Sequence, residues 1–204
     1  MFLKDLFPQY SNLDLEISSI EIDSRLVKKG SIFFALQGHN VDGAKFIDDA
    51  IAKGAIAVVS GKLSVVSKAG LVIEVEDVYS VLVTALQKFY PNLPENILAV
   101  TGTNGKTSVA YFIQQMQEIL GKKSASIGTI GIKTSDSSIQ KDLTPFTLTT
   151  PDIVSLYKNL SILKQHGVND IAIEASSIGL EQKRLAGLKI GLGAFTNFTQ
   201  DHLD

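Results

Sequence analysis

Residues 97–108 constrain the fold most: Ile97-Leu98-Ala99-Val100-Thr101-Gly102-Thr103-Asn104-Gly105-Lys106-Thr107-Ser108. A short apolar run stops at a glycine-rich turn, a lysine and two hydroxyl residues follow, and a helical pattern begins. Strand, tight loop and helix in that order are the recipe for a phosphate cradle. Glycine lets backbone N–H groups approach phosphate oxygens, and the helix N-terminus adds partial positive charge. Lys106 is placed to reach terminal phosphates, and the Thr107 hydroxyl to ligate Mg²⁺. The general pattern has a glycine five residues before Gly105, where this chain has Val100, so the loop is a shortened variant. A glycine-rich turn with a chance lysine would share the composition, but the flanking strand and helix favour nucleotide binding.

The rest of the chain repeats the same alternation. In the first ninety residues, strands are expected at Leu15–Ile22, Ile32–Leu36, Ala55–Val59 and Leu71–Val75. Between them Phe46, Ile47, Ala50 and Ile51 recur at helical spacing, and Val78, Leu82, Ala85 and Phe89 form a second stripe. Pro91 and Pro94 mark a boundary, giving domains at 1–92 and 93–204. After the phosphate loop, one helix carries Phe112, Ile113, Met116, Ile119 and Leu120 on one face. Ser126–Ile130 follows as a strand, and Lys133–Leu143 reads as a polar, mobile loop. Pro151 and Asp152 open a helix with Ile153, Leu156, Tyr157, Leu160 and Leu163 inward. Asp170–Glu174 and Ile190–Phe195 are the last strands.

Alternating strands and helices imply a mainly parallel sheet in each unit, with ligands beyond the carboxyl ends of the strands. Residues 101–107, 174–179 and 196–204 all follow strands and are expected on one edge. With 204 residues and 45% apolar content there is material for a sizeable core. A net charge of −2 gives no reason to expect a nucleic-acid partner. No apolar run approaches the roughly 18 residues of a membrane span, and residues 1–8 lack a signal-peptide pattern. Cysteine is absent, which excludes disulfides and thiolate chemistry and suits a cytoplasmic location; with three histidines, a structural zinc site is not expected.

Glu174 ends an apolar strand, which places a carboxylate near bound phosphates, where hard cations take carboxylate and hydroxyl oxygens. A solvated strand-end glutamate is the plain alternative. His202, between Asp201 and Leu203, is open to a catalytic or metal role or to none. His39 can bind a ligand or cap its turn, and His166 sits at a helix end facing the dipole. Ser176, Ser177, Gln182 and Arg184 share one short segment, and an arginine suits phosphate or carboxylate. Thr149 and Thr150 offer two hydroxyls or an N-cap.

Four separated motifs resemble the Mur ligases of peptidoglycan synthesis. They are Asp23-Ser24-Arg25 with Gly38-His39-Asn40-x-Asp42-Gly43; Thr101-Gly102-Thr103-Asn104-Gly105-Lys106-Thr107; Glu174-x-Ser176-Ser177-x-Gly179-Leu180-x-Gln182-x-Arg184; and Thr196-Asn197-x-x-x-Asp201-His202-Leu203-Asp204. They occur in the family order, and the third points to the members that add the third residue of the stem peptide. The resemblance implies a Rossmann-like α/β N-terminal domain that holds the uridine end of UDP-N-acetylmuramoyl-dipeptide. It implies a P-loop NTPase-type parallel-sheet domain after it, incomplete at Asp204, with the C-terminal amino-acid-binding domain absent.

By the same resemblance Ile22, Ser24, His39, Asn40 and Val41 contact the uridine end. Thr149, Thr150, Ser176, Gln182 and Arg184 contact the muramyl-peptide part. ATP is held by Thr101, Gly102, Thr103, Asn104, Gly105, Lys106, Thr107 and Ser108, with Asn197 alongside. Thr107, Glu174 and His202 hold Mg²⁺, and Lys106, Glu174 and His202 are catalytic. The implied reaction joins an amino acid to the substrate carboxylate through an acyl phosphate. A monomer without membrane attachment, inactive alone, is expected. Ile178 stands where the family commonly has histidine, and a carbamylated lysine of the family falls beyond Asp204. Two other readings are a non-catalytic nucleotide-sugar-binding module and a P-loop kinase or NTPase with another substrate.

Overall fold

The structure is a computed structural model and describes residues 1–38, 42–61 and 70–199. The chain forms two compact units, Met1–Phe89 and Tyr90–Asp204.

The first unit holds a four-stranded parallel sheet in sequence order: β1 (Ser19–Glu21), β2 (Ser31–Ala35), β3 (Ala57–Ser60) and β4 (Val72–Glu74). Helices α1 (Leu3–Leu6), α2 (Ile47–Ala52) and α3 (Val78–Phe89) accompany it. Every residue of β2 is buried, which is why its run reads as continuous apolar sequence rather than alternation. Ser31 is tolerated there because its hydroxyl lies 2.8 Å from the Ser19 hydroxyl and accepts the Lys28 N–H at 2.9 Å. Phe33, Val58, Ile47 and Ala50 form a core between sheet and helix. The strand expected from Leu15 is shorter, beginning at Ser19; Glu16 instead makes an isolated bridge with Phe2.

The second unit contains β5 (Asn96–Thr101), α4 (Lys106–Ile119), β6 (Ser124–Gly128), β7 (Gly131–Thr134), α5 (Ile153–Gln165), β8 (Asp170–Glu174), α6 (Ser177–Glu181) and β9 (Ile190–Phe195). Its sheet runs β7-β6-β8-β5-β9, parallel except for the β6–β7 hairpin. The α4 connection passes from β5 to β6 across β8, while the chain leaving β8 crosses β5 to reach β9. These opposite crossovers make the carboxyl ends of β5 and β8 a topological switch point, the place where such sheets take ligands. Register puts Val100 beside Glu174, Thr101 beside Phe195, and Ile127 beside Ile173. One edge therefore carries the ends of all four parallel strands.

Helix α5 buries Ile153, Leu156, Tyr157, Leu160 and Leu163, the stripe its spacing predicts. Its N-cap is Asp152, which accepts the Ser155 N–H at 2.9 Å. At its other end His166 pairs with Asp142 at 3.3 Å.

Two expectations change. The helix after the phosphate loop turns Phe112, Met116, Ile119 and Leu120 outward, at 55–85% exposure, and packs on the sheet through Val109, Ala110, Ile113 and the buried Gln114. Ala110 lets the helix lie close to Val100 and Ala172, a proximity that larger residues would prevent. Lys133–Leu143 is not a bare loop. It completes β7 and then a short 3-10 turn, Ser137–Lys141, capped by Asp136. Ile139 in that turn is fully buried against the core that holds Leu156 and Leu160.

Among the described residues no helix is long and apolar enough to cross a membrane. If Ile139 anchors its segment, Ile139→Ala will lower unfolding free energy by about 2–5 kcal/mol in urea denaturation. A change below about 0.5 kcal/mol would fit a loose segment instead.

Candidate functional site

The phosphate loop owes its shape to the segment after β9. Gly102 has φ +130°, a region closed to side chains, and a Cβ there would strike Thr196 and come within 2.9 Å of the Asn197 carbonyl oxygen. The Thr103 N–H donates to Asn197 O at 2.9 Å, and the Asn104 N–H to Asn197 Oδ1 at 3.1 Å. Thr196 Oγ1 and Asn197 Nδ2 both donate to Asn104 O, at 2.7 and 3.0 Å. Thr103 and Thr199 exchange two further bonds, Thr103 Oγ1 to Thr199 O at 3.1 Å and Thr199 N to Thr103 Oγ1 at 3.0 Å. Asn197 thus acts on the loop backbone, and the Thr103 and Asn104 amides are turned toward it.

The backbone donors left over for a ligand are at the helix start. Gly105 is the left-handed N-cap of α4, and its carbonyl accepts the first helical bond from Val109 at 2.9 Å. The N–H groups of Lys106, Thr107 and Ser108 then fall in the first turn, which has no intrahelical acceptors. The helix dipole points the same way. Lys106 Nζ folds over the loop and donates to Gly102 O at 2.7 Å and Thr103 O at 2.9 Å.

Glu174 faces this helix start. It is 2% exposed, and its carboxylate is satisfied by three donors. Thr107 Oγ1 donates to Oε2 at 2.8 Å, Thr129 N–H to Oε1 at 2.9 Å, and Thr129 Oγ1 to Oε2 at 3.2 Å. The carboxylate also lies against Gly128, where any Cβ would collide with it. A hydroxyl and a carboxylate oxygen side by side are an all-oxygen donor pair, and the chemistry fits a hard divalent cation. Sequence reading picked out Thr107 and Glu174 but missed Gly128 and Thr129. The available signal was a glycine ending an apolar strand on the same sheet edge.

Next to Glu174 lies a hydroxyl cluster. Thr150 is fully buried, donates to Glu174 O at 2.7 Å and accepts the Ser176 N–H at 2.9 Å. Ser176 caps α6 through Gly179 N–H at 3.1 Å, and its hydroxyl lies 3.0 Å from that of Thr150. Thr149 Oγ1 lies 3.2 Å from Thr129 Oγ1. Arg184 donates through Nη1 to Thr150 O at 2.6 Å and forks onto Gln182 Oε1 at 2.6 and 3.0 Å. Lys183 between them has φ +55°, which puts Gln182 and Arg184 on one side of the turn. Thr150, Ser176, Gln182 and Arg184 are therefore one connected patch, Thr149 precedes it in the chain with its hydroxyl on Thr129, and Ile178 on α6 is exposed.

In the first unit, Ile22 and Ser24 follow β1. Ser24 is buried, and its carbonyl accepts Lys53 Nζ at 3.1 Å. Asp23 caps the turn by accepting Arg25 N–H at 2.9 Å and pairs with the Arg25 guanidinium at 2.7 Å. Gln37 and Asp42, on either side of His39, Asn40 and Val41 in sequence, form an isolated bridge. Those three residues lie outside the described residues, as do Asp201, His202, Leu203 and Asp204.

Two family models match the chain: the Mur ligase family catalytic domain over residues 16–101, and the Mur ligase middle domain over residues 100–204. The UDP-N-acetylmuramoyl-L-alanyl-D-glutamate–2,6-diaminopimelate ligase of Rickettsia montanensis is 44% identical over 99% of this chain and 41% of its own length. A solved ligase of the same name superposes with TM-score 0.78 at 29% identity, covering 100% of this chain and 42% of that one. The MurF ligase of Thermotoga maritima, solved with ADP, has TM-score 0.52 at 23% identity over 81% of this chain and 33% of its own, a likeness of fold alone. The chain spans about two fifths of the length of the first two.

Gly128→Ala will cost roughly 1–3 kcal/mol in urea unfolding, because the added methyl meets a buried carboxylate. Gly193→Ala, which has open space for its methyl, will stay within about 0.5 kcal/mol. Separately, the Arg25 hydrogen bond holds the Asp23 carboxyl below its ordinary 3.8, against a smaller rise from partial burial. The stabilisation is therefore present above the ordinary value and is lost as pH falls through the lowered one. A carbon-detected NMR titration will put the Asp23 midpoint below 3.8, and Arg25→Ala will move it back up.

Proposed function

This chain belongs to the Mur ligase family, and from that premise we propose that it supplies the substrate- and ATP-binding residues of an amide ligase of peptidoglycan precursor synthesis. The reaction adds the third stem-peptide residue to UDP-N-acetylmuramoyl-dipeptide, and the names of its relatives support 2,6-diaminopimelate as the amino acid added. The observation that carries the reading is the 2.8 Å approach of Thr107, at the start of the phosphate-loop helix, to the buried Glu174.

In this reading residues 1–92 hold the uridine end through Ile22, Ser24, His39, Asn40 and Val41. Residues 93–204 hold ATP. The first-turn N–H groups of α4 bind phosphate oxygens, and Lys106 exchanges its two loop carbonyls for the terminal phosphates. Asn197 keeps the 101–104 backbone in the binding shape. Thr149, Thr150, Ser176, Gln182 and Arg184 orient the muramyl-peptide so that its terminal carboxylate faces the γ-phosphorus. That carboxylate attacks, ADP leaves with the electron pair of the broken P–O bond, and an acyl phosphate results. The amine of the incoming amino acid then displaces phosphate, loses a proton and forms the amide. Lys106 charge concentrated on the transferring phosphoryl group lowers the first barrier. Thr107 and Glu174, with His202, would hold Mg²⁺, which supplies further neutralisation of phosphate charge. A cytoplasmic monomer fits a reaction on soluble nucleotide precursors.

The test is ADP release by the full natural polypeptide that carries this chain, with UDP-N-acetylmuramoyl-dipeptide and diaminopimelate supplied. Release will require both, and Lys106→Ala will reduce it by about 100-fold or more. Release that is independent of the UDP-linked substrate would contradict the ligase reading, and undiminished turnover in Lys106→Ala would remove the role given to that lysine.

A further inference from the structure

Thr129 is not part of any motif quoted above, yet it touches both halves of the candidate site. It lies in the two-residue turn between β6 and β7, flanked by the paired Gly128 and Gly131. That tight hairpin fixes its backbone, and its N–H anchors Glu174 Oε1 at 2.9 Å. Its hydroxyl lies 3.2 Å from Glu174 Oε2 and 3.2 Å from Thr149 Oγ1. A threonine hydroxyl has one proton, so it can donate to only one of these oxygens at a time.

We propose that Thr129 is a positioning residue whose hydroxyl couples the muramyl-peptide side of the site, at Thr149, to the metal side, at Glu174. The proposal rests on the ligase reading above. The Thr129 hydroxyl is aimed to donate to either Thr149 Oγ1 or Glu174 Oε2; with its proton on Oε2, that oxygen holds two hydroxyl donors, Thr129 and Thr107. A substrate acceptor that takes the Thr149 proton makes Thr149 Oγ1 the stronger of the two acceptors facing Thr129. Thr129 then turns its proton to Thr149, and Oε2 gives up one donor. A freer Oε2 beside Thr107 is a better ligand for a hard cation. Glu174 does not swing loose in the exchange, because the Thr129 N–H keeps Oε1 in place. Substrate on one side thereby tightens cation binding on the other, and linkage makes the effect mutual.

The test measures Mn²⁺ affinity by electron paramagnetic resonance, with ADP present, in the full natural polypeptide. Titrations with and without saturating UDP-N-acetylmuramoyl-dipeptide give a coupling ratio. Wild type is expected to bind Mn²⁺ about 2- to 10-fold more tightly with the UDP-linked substrate, the span of one hydrogen bond. Thr129→Val, which keeps the N–H and the shape, should bring the ratio to about one, with the substrate-free affinity at the tighter value. Thr129→Ser should restore the ratio. Thr149→Val cuts the same link from the other end and should also abolish it, which keeps the test decisive if Thr129→Val does not fold.

A wild-type ratio retained in either valine variant overturns the coupling alone. So does a Thr129→Val protein that binds Mn²⁺ more weakly in both conditions, since that is the mark of a merely structural role. Wild type that binds neither Mn²⁺–ADP nor the UDP-linked substrate overturns the ligase reading, and the coupling with it.

Discussion

Glu174 is 2% exposed, and what surrounds its carboxylate is a set of donors in place of water. Taking an ionised carboxylate out of water is costly unless hydrogen bonds replace hydration. Here one backbone N–H and two hydroxyls do so, from two stretches of chain, at Thr107 and at Thr129. The strand order makes this possible. β8 lies between β6 and β5, so the end of β8 meets the Gly128–Thr129 turn on one side and the phosphate-loop helix on the other. Gly128 leaves the room the carboxylate occupies. Remove any of these conditions and the acidic group would either turn to solvent or disrupt the strand that carries it.

The second dependence is of the phosphate loop on the chain that follows β9. Thr196, Asn197 and Thr199 bind residues 103 and 104 through backbone and side-chain bonds, nearly a hundred residues away in sequence. The shortened loop, with Val100 where a longer cradle has glycine, is closed by this external strap and not by its own length. That arrangement commits the Thr103 and Asn104 amides to structure and leaves the first-turn amides of α4 without intrahelical acceptors.

Much of this was legible in the sequence because it is local. The phosphate loop, the buried strands and the inward stripe of α5 all follow from spacing within a few residues. Glu174 was legible because a carboxylate ending an apolar run is a visible break in pattern. Thr129 was not, since its meaning comes only from a contact with residue 174 across the sheet. The outward stripe of α4 was misleading for a related reason. Phe112, Met116, Ile119 and Leu120 look like a core face by periodicity, but the phase of the helix is set by Gly105 and Lys106 at its start and by Ala110 against Val100. Ile139 escaped notice as one apolar residue in a polar run, although burial of a single isoleucine suffices to tie its segment to the core. Arg184 was legible as a functional type, but its engagement with Gln182 and Thr150 required the turn at Lys183.

The central claim is that Thr107 and Glu174 form one oxygen pair for a cation that accompanies a nucleotide on the α4 N-terminus. The most direct measurement is anomalous diffraction from crystals of the protein grown with Mn²⁺ and ADP. The account predicts a manganese peak bonded to both Thr107 Oγ1 and Glu174 Oε2, with the ADP phosphates over the first turn of α4 and Lys106 drawn from the loop carbonyls toward them. A manganese ion held by phosphate but remote from both residues, or ADP bound away from that turn, would contradict it.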